Sequence, residues 1–148
     1  MREVIKLYTK LLLILVFLPA IGLAQPSIQI ENAYIRELPP NVATAAVYMT
    51  IHNVGQHPMT LNEVRSDVAE SVMLHQTSMQ NGMMVMEHVM NLELNGRTSI
   101  TLTPGGLHIM LMGLKRSLRA GDAISLTLHF ANGLVISSTA PVISSGNQ

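Results

Sequence analysis

Asn81-Gly82, set between two runs of alternating side chains, constrains this chain more than any other feature. The dipeptide suits the centre of a two-residue type I′ turn, which needs positive φ at both positions. Such a turn fixes register as well as reversal. If Gln80 pairs with Met83, then Thr77 faces Met86, His75 faces His88 and Met73 faces Met90. Side chains alternate across a strand. One face of the hairpin therefore carries Met73, His75, Met84, Met86, His88 and Met90. The other carries Val72, Leu74, Val85 and Val89, with Glu87 out of pattern. His75 and Met86 become diagonal neighbours, about 7–8 Å apart at the backbone.

The same period recurs elsewhere. Val47, Met49 and Ile51 alternate with Tyr48, Thr50 and His52, and Ile124, Leu126, Leu128 and Phe130 alternate with Ser125, Thr127 and His129. Residues 98–103 read as a strand ending at Pro104-Gly105-Gly106, and Asn132-Gly133 marks a further turn. Short alternating runs bounded by Gly, Pro and Asn-Gly predict an all-β sandwich or barrel. Residues 43–46 read as the start of a strand, and one helical turn is expected within residues 114–120. In residues 107–112, His108, Met110 and Met112 share one face and Leu107, Ile109 and Leu111 the other. The aliphatics are expected to fill the core, and the His/Met side chains to face outward or into a shallow cleft. With no internal repeat or linker, 148 residues predict one domain, with residues 144–148 as a loose tail.

Residues 1–24 have the layout of a secretory signal peptide: basic Arg2, Lys6 and Lys10, an apolar run from Leu11 to Leu18, then Gly22-Leu23-Ala24. The run, broken at Pro19, is short for a membrane span of about 20 residues. Cleavage after Ala24 is expected to leave residues 25–148 with no stable span. The chain has no Cys, which excludes a lipid-anchored lipoprotein. The remaining segment holds six basic and eight acidic side chains, which offers no electrostatic footprint for nucleic acid. Trp is absent and aromatics are few, which argues against a stacking platform for bases.

Eleven Met, six His and no Cys leave thioethers as the only sulfur available to a metal. Imidazole and thioether together make a soft, neutral donor set that suits Cu(I). The candidate ligands are His75, Met86, His108 and Met110, with ten residues between the first two and twenty-one between Met86 and His108. The pattern His-x10-Met-x21-His-x-Met resembles that of the periplasmic copper chaperones called PCu(A)C. Residues 33–36, 46–55 and 102–110 and Gly121-Asp122 are similar to that family's recurring blocks, which span most of residues 31–130.

The resemblance implies a cupredoxin-like β-sandwich with the four ligands at one edge. It also implies a non-enzymatic periplasmic role: delivery of Cu(I) toward the dinuclear copper centre of a cytochrome c oxidase. The expected partners are the copper ion and a copper-accepting oxidase subunit or another periplasmic copper chaperone. Two alternatives stay open at this point. One is a periplasmic copper-sequestering or resistance protein; the other is a structural β-sandwich with an incidental His/Met cluster. An electron-transfer cupredoxin needs a Cys thiolate that the chain lacks. An oxidative copper enzyme using an N-terminal His amine would need His where cleavage exposes Gln25.

Other donors read more plainly. Met49 and Met59 are expected in the core. Met73, Met83, Met84, Met90 and Met112 form either packing or an adaptable rim that captures or relays copper. His52, His57 and His129 are expected away from the donor face, as solvated or hydrogen-bonded side chains. His88 is placed opposite His75 as a candidate fifth donor, without a matching position in the family pattern. Arg36 reads as structural.

Overall fold

The computed structural model describes residues 27–146. The expected signal peptide and cleavage site, and the last two residues of the expected tail, lie outside that range. Ten strands run through the described residues: β1 (Ile28–Arg36), β2 (Thr44–Asn53), β3 (Met59–Arg65), β4 (Ala69–Gln80), β5 (Met83–His88), β6 (Leu92–Leu94), β7 (Thr98–Leu102), β8 (Leu107–Leu114), β9 (Ala123–Phe130) and β10 (Val135–Ile143). The all-β expectation holds throughout the described residues, including the strand start at Thr44.

The strands form two layers. One has the order β5-β4-β8-β2-β1, and the other β10-β9-β3-β6. Strand β10 joins them: it pairs antiparallel with β9 from Val135 to Pro141 and then parallel with β1 at Val142 and Ile143. The core lies between the layers. Val47, Ile51, Ile109 and Leu111 from the first meet Ile124, Leu126 and Leu128 from the second, all essentially inaccessible to solvent. Met49 and Met59 are buried with them, as expected. Asn53 is a buried polar residue with its amide fully engaged. Its Nδ2 donates to the carbonyls of His57 (2.8 Å) and Leu94 (3.1 Å), and its Oδ1 accepts the Gly55 N–H (3.1 Å). That satisfaction is what makes its burial tolerable.

Two expectations are corrected. Residues 115–120 form an irregular loop, not a helical turn. Leu118 plugs into the core, while the Asp122 carboxylate accepts the Arg119 N–H (3.1 Å) and the Arg116 guanidinium (2.6 Å). These contacts fix the segment through its ends and leave no run for i→i+4 bonding. The tail is also less loose at its start than expected, because the Ser145 hydroxyl donates to the Glu37 carbonyl at 2.7 Å.

One break in the first layer positions the site. Strand β2 pairs with β8 over Thr44–Val47 but with β7 over Met49–Asn53. The connection through Pro104-Gly105-Gly106 therefore sits beside the first residues of β8, against β4.

Candidate metal centre

The β4–β5 hairpin has the register that its turn dictates. Asn81 and Gly82 take φ of 51° and 77°. Gln80 pairs with Met83, Thr77 with Met86 and His75 with His88. The ladder ends at His88, so the expected Met73–Met90 step is not made; instead the Val89 N–H donates to the Leu74 carbonyl at 2.8 Å. Glu87 fits no apolar face because β5 is an edge strand, exposed along most of its length. There it pairs with Gln76 and accepts from the Gln80 amide at 3.4 Å.

Strand β8 lies on the other side of β4. His108 pairs directly with His75, and Met110 with Met73. His75 thus stands between two imidazoles, with ring centroids 5.8 Å from His88 and 6.1 Å from His108, both edge-on. Three of the four predicted ligands, His75, His108 and Met110, meet across one strand pair. Met86 occupies the opposite corner, on the edge strand two residue pairs past His75, and half of its surface is exposed.

The site is less open than the sequence suggests. His108 keeps only 5% of its surface exposed although it points away from the aliphatic core face. Its Nδ1 lies 2.9 Å from the Gly106 carbonyl. A carbonyl can only accept, so Nδ1 carries a proton, and in the neutral imidazole Nε2 is the nitrogen with a lone pair for a metal. The same carbonyl accepts the Thr77 N–H at 3.1 Å, tying the β7–β8 connection to β4. Gly106 holds His108 through a contact that strand alternation does not reveal. Its only sequence signal is the Gly-Gly pair just ahead of His108.

His75 Nδ1 is buried and has no hydrogen-bond partner among the described residues. Such an atom is costly to leave unpaired unless something else occupies it. Burial pushes the His75 imidazole below its ordinary range, and the neighbouring His108 and His88 push it the same way. It therefore keeps its neutral form, the one a metal requires, to lower pH than an ordinary imidazole. Among the described residues no three His, Asp or Glu side chains form a metal cluster by themselves. Neutral nitrogens with thioether sulfurs fit a soft monovalent ion better than a hard divalent one.

The remaining histidines separate as expected, with one correction. His129 pairs with Glu63 and Val135 in the second layer, and His57 lies in the loop before β3. His52 shares the donor-bearing side of the first layer, since Ala46, which has the same parity on β2, pairs with Met110. Six residues of extended strand, about 20 Å, hold it away. There its Nδ1 contacts the Ser99 hydroxyl at 2.6 Å and its Nε2 lies 3.2 Å from Glu31.

The two-layer β fold defines the class, and solved structures share it. The copper-bound PCuAC domain from PmoF2 superposes with a TM-score of 0.68 over 80% of this chain and 93% of that one; at 24% identity it shows the cupredoxin-like fold alone. The solution structure of Cu(I)-DR1885 from Deinococcus radiodurans is 33% identical, with a TM-score of 0.67 over 86% of this chain and 85% of that one. The chain belongs to the LpqE-like lipoprotein family, whose model matches residues 28–142. A relative in Leifsonia xyli subsp. xyli, by name a lipoprotein (Lxx21020), is 33% identical over 122 residues, 82% of this chain and 70% of that protein. The resemblance to PCu(A)C proteins read from the motif agrees with these neighbours. No helix among the described residues is long and apolar enough to cross a membrane.

Proposed function

We propose that this protein is a Cu(I)-binding metallochaperone that holds the ion with His75, Met86, His108 and Met110. The observation carrying the reading is the direct pairing of His75 with His108. One imidazole is held through Nδ1 by its bond to Gly106, and the other has a buried Nδ1 without a partner among the described residues. The four ligands are neutral, so bound copper keeps its single charge. A site lacking thiolate is not lost to disulfide formation. The likeness to Cu(I)-DR1885 supports the same cargo.

The protein is further read as exported by residues 1–24, working as a carrier and not an enzyme, and delivering copper toward the copper centre of a cytochrome c oxidase. The lipoprotein name of its relative supports export, although this chain has no cysteine for a lipid. Exposed methionines beside the site favour exchange through shared ligands over permanent burial.

Anaerobic Cu(I) titration against a competing chelator, with X-ray absorption to count sulfur and nitrogen ligands, tests the site. One tightly bound Cu(I) with mixed nitrogen and sulfur ligation is expected. Deleting the gene tests delivery: oxidase activity should fall under copper limitation and recover with added copper. Cells that respire normally but become sensitive to excess copper would identify a sequestering protein instead.

A further inference from the structure

Ladder register ranks the methionines by their distance from the histidine pair, and the ranking differs from the motif. Met73 and His75 are alternate residues of β4, and Met110 and His108 alternate residues of β8. His75 pairs with His108 and Met73 with Met110. These four side chains make a compact two-by-two block on one side of two adjacent strands. Met86 is outside it. From Met86 to Met110 the path crosses two strand spacings and four residues, about 16 Å between backbones on a flat sheet. Two methionine side chains converging on one ion span less than that, so the β4–β5 hairpin must coil over the block for both to bind. Two-stranded ribbons twist strongly enough to allow it. Met73 needs no such movement. It is partly buried, while Met86 is 52% exposed and is followed outward by Met84 at 71% and Met79 at 66%, which pair with each other.

We propose that Met73 is a further Cu(I) donor and that Met73 and Met86 compete for one coordination position. This rests on the Cu(I) site proposed above. Met73 closes the compact block when the hairpin is extended, and Met86 replaces it when the hairpin coils. Copper can then keep two thioethers while Met86 turns toward the medium or an acceptor. The thioethers of Met84 and Met79 continue from Met86 toward the hairpin tip.

Met73→Leu, Met86→Leu and the double variant test this, because leucine keeps the volume and removes the sulfur. Each is titrated with Cu(I) against a chelator, and sulfur ligands are counted by X-ray absorption. Each single variant should lose less than about tenfold in affinity and keep two sulfur ligands. The double variant should keep one sulfur and lose more than the product of the two single effects, the mark of coupled sites. The proposal fails if Met86→Leu alone drops to one sulfur while Met73→Leu matches wild type, or if the two effects simply multiply. Those results leave the copper site standing. A wild-type protein that takes up no Cu(I), or a His108→Ala variant that binds it as tightly as wild type, overturns the site and Met73's role together.

Discussion

Methionine serves two opposite ends in this molecule. Met49 and Met59 are packed into the sandwich, 1% and 8% exposed, where they fill space among Ile, Leu and Val. On and just beyond the β4–β5 hairpin, Met79, Met83, Met84, Met86 and Met90 are all more than half exposed. The side chain is the same and the surroundings differ. In the core its flexibility fits irregular gaps. On the hairpin the apolar stem finds little to pack against, so its burial contributes little to stability and the sulfur is free to act as a ligand. Residue type alone does not tell a core methionine from an exposed one; depth within the sandwich does.

The comparison breaks most directly at Met49. Met49→Ala should cost about 2–5 kcal/mol of stability, the usual range for truncating a buried methionine. Met84→Ala should shift stability by less than about 0.5 kcal/mol, as at ordinary surface positions. Equal losses in chemical denaturation would show that the hairpin methionines pack as structure.

The donor side is broken next at His108. His108→Ala removes a nitrogen whose orientation is set by Gly106, and Cu(I) affinity should fall by roughly 100-fold, at or beyond the loss typical of a metal site's supporting groups. Chelator competition measures it on the folded protein, and the denaturation midpoint should fall as well, because His108 is buried and bonded to Gly106. Wild-type affinity in this variant would remove the histidine pair from the site.

A smaller effect is expected with pH. A proton competes with copper only where the imidazole accepts one. Burial and its two imidazole neighbours hold His75 below the ordinary value of 6.5, so its neutral form persists to lower pH. Cu(I) affinity should hold down to about pH 6.5 and decline below it. An affinity unchanged into strongly acidic solution would point instead to thioethers alone, such as Met73, Met84, Met86 and Met90.

The smallest effect is expected from replacing His52, His57 and His129 together by Gln. Copper stoichiometry and affinity should match wild type. A clear loss would show that His52, which lies on the same side of the layer as Met110, reaches the site after all.

Much of this was legible in short stretches of sequence. The β4–β5 register followed from Asn81-Gly82 because a two-residue turn leaves the chain no freedom to slip. The division of Leu107–Met112 into aliphatic and donor sides followed from strand alternation. The helical turn expected near residues 114–120 failed because Asp122 and buried Leu118 hold that segment through contacts that no local pattern reports. The exposure of the donor side was misjudged at His108 for a related reason. Its cover comes from β4 and from the Gly106 connection, and both depend on how the chain returns.

Sequence alone thus determined the hairpin, the alternation and the choice of soft, cysteine-free donors. These are set within a few residues, by turn dihedrals and side-chain chemistry. Tertiary structure alone decided that β8 lies against β4, with His75 facing His108 and Met73 facing Met110. That pairing joins segments more than thirty residues apart. It is set by which aliphatic faces bury together in the sandwich, a long-range balance that strand alternation does not encode.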